Sequence, residues 1–135
     1  NSTVFVIVAD HCSRSAGKTD LPVNRYHIPC FIYAPQLVKP GIEDRLASQI
    51  DLAPTLLGMM NINYTSRFLG FDLYRTPVER DRVFISTYQN MGFIKDNKLV
   101  ILAPQKKITM YQPNFLTGAA NQIPLSDTLS TEAIK

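Results

Sequence analysis

The chain has 135 residues, 45% of them hydrophobic, and a formal net charge of +3, which suits one folded core and excludes a disordered polyampholyte. Its basic residues are scattered, with Lys106-Lys107 the only adjacent pair, so the clustered positive footprint of a nucleic-acid-binding surface is missing. No apolar run approaches the about 18 residues that span a bilayer, and the opening residues do not read as a secretory signal.

The first element is Thr3-Val4-Phe5-Val6-Ile7-Val8-Ala9, a β-branched and aromatic run that ends on Asp10-His11. Such a run predicts a strand buried on both faces, as in a parallel or mixed sheet flanked by helices. In sheets of that kind ligands and catalytic groups gather at the carboxyl ends of the strands. A carboxylate beside a neutral imidazole is a donor pair for zinc, manganese or iron and a poor one for calcium. The same dipeptide also reads as a turn-capping Asp beside a surface His, and two ligands do not complete a metal site. The polar loop that follows carries Arg14 and Lys18, which would be anion contacts if it borders the same crevice or solvated cations if it does not.

The second strand is predicted over Tyr26 to Pro35, with central positions 28 to 34. Pro29 and Pro35 bracket it, as prolines do at strand ends. His27 opens it, as a donor to a phosphoryl oxygen or as an edge histidine satisfied by backbone. Cys30 lies in its apolar stretch, where a free thiol behaves as a small hydrophobe. A Cys12–Cys30 disulfide requires neighbouring strands and an oxidising compartment, and stays open.

A helix is predicted over 51 to 60, with Asp51 as N-cap and Pro54 in the first turn. Leu52, Leu56, Met59 and Met60 would form the face that packs on the sheet. Tyr64 to Arg82 reads as a connecting loop with a short element at Phe71-Asp72-Leu73-Tyr74. Four runs then follow, at 82–88, 91–95, 98–102 and 108–111, separated by Gln89-Asn90, Asp96-Asn97 and Pro104-Gln105-Lys106-Lys107. They predict an antiparallel meander. Residues 114–135 read as a tail with a short, fraying helix near Ser130-Thr131-Glu132.

Three of these segments carry a resemblance to a known family. The strand ending in Ala9-Asp10-His11, the His27-Ile28-Pro29 strand and above all Ser48-Gln49-Ile50-Asp51-Leu52-Ala53-Pro54-Thr55-Leu56-Leu57 resemble the C-terminal part of a sulfatase-type catalytic domain of the alkaline phosphatase superfamily. Within it, the likeness is nearest to membrane-anchored phosphoglycerol transferases of the lipoteichoic acid synthase type. It covers roughly residues 3 to 112 and implies an α/β fold: a mixed, largely parallel sheet flanked by helices, here partial, with the C-terminal antiparallel meander. Residues 1–113 would be the C-terminal portion of the catalytic domain and 114–135 a tail.

The resemblance implies that Asp10 and His11 help to hold one divalent metal, manganese, zinc or magnesium. The remaining acid and a Thr, Ser or Cys nucleophile would lie far upstream, so no catalytic nucleophile is expected in these residues. His27, Arg14 and Lys18 become candidates for substrate binding. The intact domain would transfer phosphoglycerol from an anionic glycerophospholipid, or act on a phosphoglycerol polymer, through a covalent phospho-Thr intermediate. The parent would sit in the inner or plasma membrane with this domain facing the periplasm or exterior. A sulfatase, and a noncatalytic module that binds an anion or a partner chain, are the alternatives. The isolated chain is expected to be inactive.

Overall fold

The computed structural model describes residues 3–12 and 21–134. Their chain contacts divide into two compact units: residues 3–8 with Cys30–Arg82, and the described residues of 9–29 with those of 83–134.

In the first unit the two N-terminal apolar runs become strands β1 (Phe5–Val8) and β2 (Cys30–Tyr33) of one sheet, shorter than the sequence suggests. They pair with each other, and antiparallel, with Phe5 opposite Tyr33 and Val8 opposite Cys30. Phe5, Ile7, Phe31 and Tyr33 share one face and are 56 to 65% exposed, while Val6 and Ile32 behind them are half-buried. This corrects the expectation of parallel, two-face-buried strands. A β-branched run dictates extended backbone and a preference for burial, but the direction of pairing and the cover on each face are set by which segments meet it. The α/β class holds, in the form of two antiparallel sheets with two α-helices among the described residues.

The predicted helix appears as α1 (Leu52–Met59), entered through a 3-10 turn at Gln49–Asp51. Its start differs from the expectation in one respect. Asp51 holds the N-cap position of α1 as expected but makes no side-chain cap bond to it; its carboxylate instead closes a reciprocal capping box with Ser48, the N-cap of the preceding 3-10 turn. The helix buries Pro54 and Thr55 while its Leu and Met positions are only half-buried. Thr55 Oγ1 donates to the Asp51 carbonyl at 2.6 Å and accepts from the Leu73 N–H at 3.1 Å. The helix therefore docks on residues 70–73, not on the sheet. Gly70 makes that docking close: a Cβ there would lie 1.8 Å from the Ile50 carbonyl oxygen and 2.7 Å from the Asp51 nitrogen. We expect Gly70→Ala to destabilise the first unit by about 3 kcal/mol or more, read as a lowered urea midpoint, because neither obstacle is a side chain that can swing away.

The connecting segment after α1 is held by two arginines. Arg45 donates through Nε to Asp81 Oδ2 at 3.0 Å and through Nη2 to the Thr76 carbonyl at 3.0 Å, with a further bond to the Leu73 carbonyl. Arg82 donates to Asp51 Oδ1 at 3.0 Å and to the Leu69 carbonyl at 2.7 Å, and its guanidinium lies 4.0 Å from the centroid of the Phe71 ring. These contacts supply order to a stretch with little regular secondary structure.

In the second unit the meander forms as expected and then continues. Strands β3 (Val83–Ser86), β4 (Met91–Lys95), β5 (Lys98–Ala103), β6 (Lys107–Pro113) and β7 (Ala120–Ile123) make one sheet in sequence order, each pair antiparallel. The register puts Phe84, Phe93, Val100, Met110 and Ile123 in one cross-strand row. Helix α2 (Asp127–Ile134) covers this row with Leu129 and Ala133, and Lys95 pairs with Glu132 at its edge. The expected fraying tail thus supplies the last strand and part of the core. Across the sheet, Gly92 leaves room for Leu21 beside Ile85 and Leu99, and Leu21 and Val23 are buried there.

The β4–β5 connection is a two-residue turn with Asp96 at φ 49° and Asn97 at φ 56°, flanked by the pair Lys95 and Lys98. Two residues of positive φ define the turn whose twist matches a hairpin, and Asp and Asn are the side chains that tolerate it. Asn97→Gly should raise the unfolding midpoint slightly, whereas Asn97→Val should cost about 1–2 kcal/mol, the penalty of a Cβ in the left-handed region.

Candidate functional site

Strand β1 ends at Val8, and one more backbone bond, from the Ala9 N–H to the Pro29 carbonyl at 3.2 Å, carries the pairing a step further before the chain bends at Asp10 and His11. The bend frees two consecutive side chains from the alternation of a strand, so they need not point to opposite faces. Asp10 Oδ2 and His11 Nε2 stand 3.6 Å apart, both side chains largely exposed, at 88% and 77%.

Each residue's other polar atom is engaged in a way that fixes this arrangement. The His11 N–H donates to Asp10 Oδ1 at 3.0 Å, which orients the carboxylate. His11 Nδ1 lies 2.8 Å from the Cys12 carbonyl oxygen, an acceptor only, so Nδ1 must carry the proton. In neutral imidazole that leaves the lone pair on Nε2, the ring nitrogen 3.6 Å from Asp10 Oδ2. An Nδ1–H bonded to a backbone carbonyl is the usual orienting contact of a histidine that ligates through Nε2. Two donors at about 2.1 Å from a tetrahedral ion are about 3.4 Å apart. The observed 3.6 Å is close to that separation, so the pair fits two adjacent positions on one divalent ion. Among the described residues no third His, Cys, Asp or Glu joins them in a cluster able to hold a metal.

His27 stands on the exposed segment between a 3-10 turn at Val23–Arg25 and β2. Arg14 and Lys18 lie outside the described residues. Cys12 and Cys30 are both free thiols, and burial pushes the Cys30 thiol above its ordinary pKa, away from the reactive thiolate. Tyr26 donates its hydroxyl to the Ser86 carbonyl at 3.1 Å. Burial, and secondarily the neighbouring Cys12, push its phenol upward, so it serves here as a neutral donor and not as a base. The Cys12 carbonyl is the one site feature that sequence reasoning missed, since every residue has a carbonyl and only the bend brings this one to His11.

These features define an α/β module with an orienting bend that presents an Asp-His pair at a strand terminus. Comparison with known proteins gives a consistent placement. A family model described as Sulfatase matches residues 1–62, the stretch that holds β1, Asp10, His11, β2 and α1. The chain is also similar to a crystal structure of a protein in the alkaline phosphatase superfamily from Vibrio parahaemolyticus, with a TM-score of 0.88 and 27% identity over 96% of this chain. It spans 32% of that protein's length. Both findings place the chain's likeness among sulfatases and the alkaline phosphatase superfamily. Among the described residues no helix is long and apolar enough to cross a membrane.

Proposed function

We propose that this chain is the C-terminal portion of a metal-dependent catalytic domain that transfers phosphoglycerol, taken from an anionic glycerophospholipid, outside the cytoplasm. The observation that carries the metal reading is the Asp10–His11 pair, with its donors 3.6 Å apart and the imidazole oriented by the Cys12 carbonyl. A divalent ion held there would lower the pKa of a hydroxyl nucleophile and neutralise charge on the transferred group. The chain's own part is to bind and aim. Asp10 contributes a hard anionic oxygen, His11 a neutral nitrogen, and the bend keeps both on one side. His27, Arg14 and Lys18 are proposed as contacts for the anionic substrate.

The exposed face of Phe5, Ile7, Phe31 and Tyr33 supports the further reading that this portion completes its fold against the rest of a catalytic domain. Four large apolar side chains more than half exposed on one face of a two-stranded ribbon are a surface that other segments would cover. The nucleophile and the remaining metal ligands belong to that remainder, and the membrane anchor of the parent to a segment beyond it. A sulfatase that hydrolyses sulfate esters is the second reading, favoured by the description of the matching family model.

The deciding experiment gives the purified parent polypeptide phosphatidylglycerol and an aryl sulfate in parallel, with manganese present. Release of diacylglycerol without sulfate release is the expected result. Sulfate release alone would replace the transferase reading with the sulfatase one.

A further inference from the structure

The first unit carries a cleft of about 520 Å³, formed by residues 62–66 and the turn from Asp72 to Arg75. That volume lies within the usual range for small-molecule sites, about 300–1,000 Å³. Six of its seven lining residues have polar side chains, so its ligand must be polar too.

Among the lining residues, Asp72 has a side chain only 13% exposed. Gly58 of α1 makes this possible: a Cβ there would lie 1.9 Å from Asp72 Oδ2, so the bare helix surface is what admits the carboxylate. Asp72 Oδ1 accepts the Tyr74 N–H at 3.0 Å, and Oδ2 faces Arg75 Nε at 3.5 Å. The Arg75 side chain is 64% exposed, so its outer nitrogens remain available at the mouth.

Tyr64 is the aromatic residue in the lining, and Phe68, outside it, backs its ring. The Tyr64 ring packs at a tilt on Phe68, with centroids 5.7 Å apart and planes at 59°. The Phe68 N–H donates to Ser66 Oγ at 3.3 Å, which holds the bend that brings the two rings together. Tyr64 stays 43% exposed, and its ring is thereby positioned without being covered.

We propose that this cleft binds a neutral sugar ring. A pyranose offers a flat patch of C–H groups and a rim of hydroxyls, which match an aromatic surface beside a carboxylate and a guanidinium. The charge count separates this ligand from an anion. Asp72 and Arg75 cancel within the cleft, so a phosphate would meet the Asp72 carboxylate, while a hydroxyl both donates to that carboxylate and accepts from Arg75. The proposal is independent of the metal reading of Asp10 and His11.

The test is a titration of the full chain followed by amide chemical shifts, with maltose, dodecyl maltoside below its micelle concentration, and inorganic phosphate as probes. Maltose at millimolar concentration should move signals confined to residues 61–66 and 72–75. Tyr64→Ala should weaken this at least tenfold, Tyr64→Phe should preserve it, and Arg75→Gln should weaken it. An equal response to dodecyl maltoside identifies the sugar ring as the bound group, free or as a head group. A response to the amphiphile alone, a response to phosphate that matches that to maltose, or maltose binding unaffected by Tyr64→Ala would each overturn the assignment.

Discussion

Arg82→Ala should be the most damaging single change in the first unit, lowering its stability by about 3–5 kcal/mol. Asp51 is 1% exposed, and its carboxylate accepts from the Ser48 N–H at 2.9 Å, the Phe71 N–H at 2.8 Å and Arg82 Nη1 at 3.0 Å. Removing the guanidinium leaves a buried anion with two amide donors and no counter-charge. It also strips the Leu69 carbonyl of its donor and the Phe71 ring of a cation 4.0 Å from its centroid. An exposed ion pair lost in the same way costs about 1 kcal/mol or less, and burial is the whole difference. Urea unfolding gives the magnitude, and amide exchange gives the mechanism: the Phe71 and Ser48 amides should lose protection along with the midpoint. Replacing Asp51 and Arg82 together by residues of similar volume without charge should be markedly less harmful than Arg82→Ala alone, since the cost lies in the orphaned carboxylate. Equal costs for the single and the double change would mean that packing, not charge, makes Arg82 matter.

That network shows where the sequence stops being legible. Asp51 sits just before Leu52-Ala53-Pro54-Thr55, and reading it as a helix cap is local chemistry. Its true partner, Arg82, is 31 residues away, in a stretch whose mixed charges look like ordinary solvated loop. The helix itself was legible because Pro54 and the flanking apolar residues are local signals. The strands β1 to β6 were legible because short runs of β-branched and aromatic residues stand in them between turn-like pairs. Strand β7 was not, because Ala120-Asn121-Gln122-Ile123 is an edge strand whose one large apolar residue is Ile123, paired with Met110. Helix α2 was half-read from Ser130-Thr131-Glu132, yet its hold on the core comes from Leu129 and Ala133, two residues with no pattern between them that outweighs the polar surroundings. The pairing of β1 with β2 was invisible for a different reason: extended backbone carries no mark of its neighbour's direction. At the candidate site, the Asp10-His11 dipeptide was readable as donor chemistry at a strand end, whereas the backbone carbonyl that selects the imidazole tautomer was not.

The isolated chain should bind manganese and zinc only weakly, and the parent polypeptide tightly, with His11 decisive in both. An Asp10–His11 chelate fills two positions of a tetrahedral ion and leaves the others to water, which competing solutes replace easily. Calorimetric titration of the chain should therefore show no saturable one-to-one step at micromolar metal. In the parent, His11→Ala should weaken metal affinity and turnover by at least about a hundredfold, the upper end of what loss of a mere orienting partner costs. Cys12→Ala makes the informative control. The Cys12 carbonyl, not its thiol, receives the His11 Nδ1–H at 2.8 Å, so this change should leave affinity almost unaltered. If Cys12→Ala were as harmful as His11→Ala, the thiol would be a ligand and the chelate geometry at Nε2 would be wrong. Tight one-to-one binding by the isolated chain, lost on Asp10→Ala, would mean that these residues already complete the coordination sphere, and that the catalytic domain needs nothing further to hold its metal.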